Sequence, residues 1–299
     1  MISVLIPVYN WKISNLVNEL LLQFNNVEYQ WEFLIADDAS DKVYTDENNE
    51  FINSLDNSRI KLFQHNNNVG NAANRNFLVK KASFTWLLFL DADVLPVNSN
   101  FIAEYVNIMA VTKANLIVGN LKNSNIIKHK KRLRYSYDAI LDKTELAYRK
   151  ENPHAQATTA NFAIRKEIAA LKNFPLLRAQ YGYVDTFFFL QFESNNFEVI
   201  ENPVYHLGID SNEIYLKKTE SAVINAYFLL QTQPKLASRI KLVKVYRKIR
   251  FINWFLYGIY TVFGFLIKKQ LLSVKPSIKL LLIYKLLYIS YLDVSENSN

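Results

Sequence analysis

The chain has 299 residues, half of them hydrophobic and 21% charged, with six Gly, seven Pro and no Cys. That composition supports a sizeable core and excludes collagen-like and largely disordered chains. The missing cysteines exclude a disulfide framework, a thiolate zinc site and a cysteine nucleophile. The formal charge of +8 is unevenly placed: residues 1–209 hold 21 Lys or Arg against 22 Asp or Glu, and residues 210–299 hold 14 against 5. A near-neutral body with a cationic tail does not make a basic face for a duplex, so no nucleic-acid partner is expected.

Met1 leads straight into Ile2-Ser3-Val4-Leu5-Ile6-Pro7 without a basic region or a small-residue cleavage site, so no export leader is expected. Ser3 to Val8 is an apolar run that reads as a buried strand stopped by Pro7 and Asn10. Ile13, Leu16, Val17, Leu20, Leu21 and Phe24 then follow helical spacing, with Ser14 or Asn15 available as a cap. Further apolar runs cover Trp31 to Ala36, Ile60 to Gln64 and Trp86 to Leu90, with a helical pattern through Ala72, Ala73, Phe77, Leu78 and Ala82. Strands alternating with amphipathic helices predict an α/β fold, a mostly parallel sheet covered on both faces.

In such sheets ligands bind beyond the carboxyl ends of the strands, where strand order switches. Two predicted strands end there in acid pairs, Asp37/Asp38 and Asp91/Asp93, and a third runs into Asn66-Asn67-Asn68-Val69-Gly70. Acids after strands also start turns and cap helices, but their repetition at one edge favours a site. Asp91 and Asp93 flank a small Ala92, so both side chains can serve one ligand. Their hard oxygens suit Mg²⁺ or Mn²⁺, which complete their shells with phosphate and water. Asp38 is placed to accept from a base N–H, and Asp37 to serve a ribose or the loop backbone. Neither G-x-G-x-x-G nor G-x-x-x-x-G-K-[ST] follows the first strand, where Val8-Tyr9-Asn10-Trp11-Lys12 stands, which removes Rossmann dehydrogenases and P-loop kinases.

Ser3-Val4-Leu5-Ile6-Pro7-Val8-Tyr9-Asn10, Phe33 to Asp41, Asn68 to Asn76 and Leu88-Phe89-Leu90-Asp91-Ala92-Asp93 resemble, in order, the motifs of family 2 inverting glycosyltransferases with the GT-A fold. The resemblance implies a nucleotide-diphosphate sugar as donor. It implies that Asp38 contacts the base, that Pro7 and Tyr9 fall on the loop lining the nucleotide, and that Arg75 or its neighbours lie near base and diphosphate. Asp93 is the implied metal ligand for Mn²⁺ or Mg²⁺, and Asp91 lies nearer the ribose and donor sugar.

Gln156 to Lys166 resembles the small-residue strand beside the donor sugar with its arginine/lysine pair. Tyr181-Gly182-Tyr183-Val184-Asp185 resembles the G-x-E-D segment whose Asp is the catalytic base, with Val184 in place of the usual first acid. The competing reading of Asp185 is a cap on the helical run that follows. His206 falls where some members carry a third metal ligand, and a structural histidine is the alternative. His65, His129 and His154 carry no motif and are expected at the surface. The basic run Lys128 to Arg134 is either a solvated helix face or a holder of an anionic acceptor or membrane.

Residues 251–267 hold no charge and lie between basic flanks, with Asn253, Tyr257, Thr261 and Gly264 recurring down one side. A basic helix rich in Trp and Tyr reads as interfacial, as packed on the body, or, at this length, as a short span. The expectation is a glycosyltransferase domain over 1–210 and a helical extension over 211–299 in peripheral contact with the membrane. Single transfer to a glycan or lipid-linked acceptor, in the cytoplasm or on the inner membrane face, is expected, because the Q-x-x-R-W motif and multiple spans of processive synthases are missing. The rivals are a sugar-phosphate nucleotidyltransferase and a non-catalytic nucleotide-sugar or membrane binder.

Overall fold

The computed structural model describes residues 1–123, 132–154, 157–179 and 181–297. They divide into two units: the described parts of Met1–Asn125, Asp142–Pro175 and Phe187–Gly208 form the first, and those of Ile126–Leu141, Leu176–Thr186 and Ile209–Asn299 the second. The first is laid down as β1 (Ile2–Val8), α1 (Ser14–Phe24), β2 (Trp31–Asp37), α2 (Lys42–Ser54), β3 (Ile60–Gln64), α3 (Asn71–Lys81) and β4 (Trp86–Leu90). It continues through β5 (Val94–Pro96), α4 (Phe101–Val111) and β6 (Leu116–Asn123). After α5 (Leu133–Leu141), which groups with the second unit, come α6 (Leu146–Glu151), β7 (Asn161–Arg165) and α7 (Lys166–Leu171). The chain passes through α8 (Val184–Phe189) to β8 (Phe197–His206), which closes the first unit.

The sheet of the first unit has eight strands in the order β3-β2-β1-β4-β7-β6-β8-β5. The pairs β3/β2, β2/β1, β1/β4 and β6/β8 are parallel, and β4/β7, β7/β6 and β8/β5 antiparallel. The alternating strand and helix pattern of the first ninety residues thus gives the parallel half, and later returns of the chain give the antiparallel half. The strand order reverses at β1/β4, the place where a doubly wound sheet opens a crevice.

All seven residues of β2, all five of β4 and six of seven in β1 are buried. On one face Ile2, Val4, Ile6 and Val8 pack with Leu16, Val17, Leu20 and Phe24 of α1 and with Phe101, Ile102 and Tyr105 of α4. On the other, Phe89 stacks on Phe162 at 5.0 Å and Phe174 on Phe188 at 4.0 Å. Burying such rings supplies apolar area and orients the loops attached to them. The expected cap at Ser14 or Asn15 is corrected: α1 starts after Ile13 without a side-chain cap, and Asn48 of α2 accepts the Ile13 N–H at 3.1 Å.

The second unit holds α5, α9 (Asn212–Thr232), α10 (Pro234–Ala237), α11 (Lys241–Ile249), α12 (Asn253–Leu271) and α13 (Ile278–Asn297). Val223, Tyr227, Tyr246 and Ile289 join α9, α11 and α13. Asp293 is the polar centre of this packing: it accepts from Tyr246 at 2.6 Å, from Asn253 at 2.8 Å and from Arg250 at 3.1 and 3.2 Å. A buried carboxylate is tolerated because its oxygens are filled and its charge is matched.

Lys285 on α13 lies 5.0 Å over the Tyr137 ring of α5. Burial, with the Arg134 charge added, pushes its ammonium down from the ordinary 10.5 to about 8. The unfolded chain then holds this proton more tightly, so the charged lysine costs stability below about pH 8 and the cost fades as pH rises toward 10.5. Lys285→Met is therefore expected to be the more stable protein at pH 7, by on the order of 1–3 kcal/mol. Paired melting curves should show that advantage shrinking at alkaline pH, and a pH-independent difference would refute it.

Candidate functional site

The parallel strands finish together: Val8 of β1 pairs with Asp37 of β2, Asp37 with Gln64 of β3, and Leu5 with Phe89 of β4. Their loops are tied to one another. Asn10 N–H donates to Ser40 Oγ at 2.8 Å and Asp41 N–H to Asn10 Oδ1 at 2.7 Å. Asp37 accepts from Ser40 N–H at 2.8 Å, which is the loop-backbone role among its two expected ones. Asn10 and Ala39 both sit at positive φ, 50° and 58°, a cost that tight bends beside binding sites often carry.

Asp38 is buried, and its two oxygens accept the backbone N–H groups of Val69 at 2.7 Å and Gly70 at 3.0 Å. It therefore fastens the third loop to the second, and the lone pairs left over are what it has for a ligand. Pro7 corrects an expectation: it lies inside β1, paired with Ala36, rather than on the loop. Tyr9 is on the loop and 56% exposed.

Arg75 of α3 is 1% exposed and forms an ion pair with Asp91, which follows β4 and is 32% exposed. Its guanidinium also faces the Phe174 ring at 5.8 Å, and Asn76 grips the Phe174 backbone with hydrogen bonds of 2.8 and 3.0 Å. Nε and Nη1 of Arg75 meet no partner among the described residues. Buried N–H donors in native proteins are almost always met, so these two point to an anion or water beside Asp91.

Asp93 and His206 are brought together by the short β5, whose Val94 pairs with His206 of β8. His206 Nε2 lies 3.2 Å from Asp93 Oδ2, and Leu207 N–H donates to the Asp93 carbonyl at 2.8 Å. A Cβ added to Gly208 would stand 2.0 Å from Asp93 Oδ2, so glycine here lets the carboxylate lie against the backbone. Two ligands of one small divalent ion, each about 2.1 Å from it, stand roughly 3 Å apart. The carboxylate oxygen and imidazole nitrogen meet that separation, and the donor set suits Mn²⁺. Among the described residues there is no group of three or more His, Asp or Glu able to hold a metal, so phosphate and water would complete the shell.

Leu90 pairs with Asn161 of β7, and Asp91 N–H donates to the Ala160 carbonyl at 3.3 Å, which sets Ala160 beside Asp91. Gln156 lies outside the described residues. The Arg165/Lys166 pair belongs to the opposite end of β4: Arg165 covers Trp86 at 4.7 Å and Lys166 donates to the Ala82 carbonyl at 2.6 Å.

Within the second unit, Asp185 stands in the first turn of α8, two residues after Tyr183 at φ 60° and three after Gly182 at φ 90°. A Cβ at Gly182 would meet Ala222 Cβ at 2.3 Å. Asn225, fully buried on α9, donates to the carbonyls of Ala179, Tyr181 and Gly182 at 2.9 to 3.0 Å and accepts from Ala179 N–H at 2.7 Å. This brace escaped the sequence reading, whose only available signal was a lone Asn in an apolar helical stretch. Lys218 lies 4.6 Å over the Tyr181 ring and bonds Asp210 at 2.9 Å.

Lys128 to Lys131 and His129 lie outside the described residues; of the same run, Arg132 donates to the Ile209 carbonyl and Arg134 pairs with Asp138 at 2.7 Å. His65 and His154 are half-buried and bonded rather than at the surface, His65 to Asn74 at 3.2 Å and His154 to the Phe192 carbonyl at 2.9 Å.

Three comparisons bear on this arrangement. An uncharacterized glycosyltransferase of Haemophilus influenzae is 33% identical over 135 residues, which is 42% of this chain and about half, 51%, of that relative. The mannosyltransferase PcManGT from Pyrobaculum calidifontis, solved with GDP-Man and Mn²⁺, superposes with a TM-score of 0.60 at 12% identity, over 100% of this chain and 88% of its own. S. aureus TarS 1–349, solved with UDP-GlcNAc, gives a TM-score of 0.50 at 15% identity over 99% and 92%. At such identities the solved structures speak for the fold, and that fold is GT-A. The model of glycosyl transferase family 2 matches residues 3–171, more than half the chain and the loops that follow β1, β2, β3 and β4, and the chain belongs to that family.

Proposed function

We propose that this chain transfers a single sugar from a nucleotide-diphosphate donor to a glycan or lipid-linked acceptor, with inversion at the anomeric carbon and with a divalent metal. The observation that carries the reading is that two pairs, Arg75–Asp91 and Asp93–His206, are formed by the acids that follow β4, the strand at which the order of the parallel strands reverses. Asp93 and His206 would hold Mn²⁺ or Mg²⁺, whose charge offsets that gathering on the leaving diphosphate. Arg75 supplies fixed donors to the same anion, in a site that has already taken them out of water. Asp91 orients Arg75 and accepts from sugar or ribose hydroxyls, while Tyr9 and Asp38 line the nucleoside.

Asp185 is the proposed base. The acceptor oxygen forms a bond to the anomeric carbon while the bond to the diphosphate oxygen breaks and its electron pair leaves with the nucleotide. The hydroxyl proton passes to the Asp185 carboxylate. Support for the role comes from the family motif and from the hydrogen bonds by which Asn225 holds the carbonyls of Ala179, Tyr181 and Gly182 just before it.

A thermal-shift screen of nucleoside diphosphates in Mn²⁺ tests the reading. At a hundred times the dissociation constant, binding stabilises by about 2.7 kcal/mol, which a melt resolves easily. One nucleotide should raise the melting temperature above the rest; a flat response across the panel would overturn the proposal.

A further inference from the structure

The second unit carries an apolar face that the transferase chemistry does not use. Helix α12 turns one side inward: Tyr257 stacks on Tyr291 of α13 at 5.7 Å, Tyr260 meets Tyr284 at 5.9 Å, Asn253 bonds Asp293, and Gly264 is buried. Most of the weaker stripe visible in the sequence is therefore a packing seam; Thr261 alone stays exposed, bonded to the Gly258 carbonyl at 2.9 Å. The opposite side carries Trp254, Phe255, Val262, Phe265 and Leu266, whose separations of one, seven, three and one residues keep them on one face, with Phe251 just ahead of the helix. They range from 57% to 87% exposed. Gly258 lies on the same line with open space where a Cβ would stand. So large an exposed apolar row marks an interaction surface.

Charge selects the occupant. From Ser221 to Leu292 the chain has twelve Lys or Arg and no Asp or Glu. Arg250 and Lys268 are engaged by Asp293 and Glu220, but Lys244, Arg247 and Lys248 before the row and Lys269 after it are exposed. A second copy laid on this row, parallel or antiparallel, would bring basic ends against basic ends. An anionic lipid surface brings the complementary charge, at a gain of several-fold in affinity per Lys or Arg.

The stretch Lys241–Leu271 is long and apolar enough to cross a membrane by length and composition. Its inner side, however, is fastened along its length to α13, which carries Lys279, Lys285 and Asp293 and packs in turn on α9. A helix so attached cannot enter the bilayer without drawing charged neighbours with it. We propose that α12 lies flat in the interface of an anionic membrane, with Phe251, Trp254, Phe255, Val262, Phe265 and Leu266 in the acyl boundary and Lys244, Arg247, Lys248 and Lys269 at the headgroups.

The test uses the full chain with vesicles of phosphatidylcholine alone or mixed with phosphatidylglycerol, read by co-sedimentation and by a blue shift of tryptophan emission. Binding should favour the phosphatidylglycerol vesicles. The triple variant Trp254→Ser, Phe255→Ser, Phe265→Ser, all outward-facing, should lose it at an unchanged melting temperature. Lys244→Gln with Arg247→Gln and Lys248→Gln should lower affinity on the order of 100-fold on anionic vesicles and far less on neutral ones. Three results would overturn the proposal: no binding by the wild type, equal binding by the triple variant, or a solution dimer dissolved by the same substitutions, which would give the row to a second copy. Nucleoside-diphosphate binding should be the same in all these variants, so this proposal and the transferase reading fail separately.

Discussion

Asp185→Asn is expected to lower sugar transfer by about 10²–10⁴-fold, the usual contribution of a positioned general base, while nucleoside-diphosphate binding and melting temperature stay at wild-type values. Asparagine keeps the size and the hydrogen-bonding shape of the side chain but cannot take the acceptor proton. The turn that presents it is fixed independently, by the positive φ of Gly182 and Tyr183 and by the Asn225 brace, so the substitution leaves its support in place. Full activity in the variant would show that Asp185 is no more than an acid in the first turn of α8.

Arg75→Met is expected to lower transfer by about 10²–10³-fold and to weaken nucleoside-diphosphate binding, with only a small loss of stability. Removing one member of a fully buried pair commonly costs 3–5 kcal/mol because it strands the other charge. Here Asp91 is 32% exposed and water can take over its solvation, so the stability loss should stay near 1 kcal/mol. Methionine fills the space against Phe174 without a charge. What disappears is a donor array held ready for an anion, and losing one such donor typically costs 10²–10³ in rate. Comparison of melting curves with initial rates separates the two effects; a variant that melts far below the wild type would make Arg75 a structural residue first.

The N-terminal half was legible because its signals are local. Leu87 to Leu90 is apolar throughout and stops at Asp91, and a strand buried on both faces has no other way to look. The acid pairs could be assigned to one edge for the same reason, since parallel strands joined by crossovers all end on the same side. Pro7 misled because a proline usually ends a strand, whereas here β1 continues to Val8. The cap of α1 misled because the partner comes from Asn48, thirty-five positions away. The contact between Asp93 and His206 spans 113 positions and depends on the three-residue strand β5, too short to be seen in a hydrophobic pattern. Gly208 and Asn225 matter through backbone approach and through carbonyls of another segment, neither of which leaves a mark on sequence spacing.

The proposed transfer needs a metal-bound diphosphate at the end of β4, which calorimetric titration of the wild type and Asp93→Ala with the best nucleoside diphosphate, in Mn²⁺ and in EDTA, would detect. The wild type should bind at least tenfold more tightly in Mn²⁺, about 1.4 kcal/mol or more, and Asp93→Ala should bind with the same weak affinity in both. Equal affinity with and without Mn²⁺ in the wild type, or a manganese effect that survives in Asp93→Ala, would contradict it.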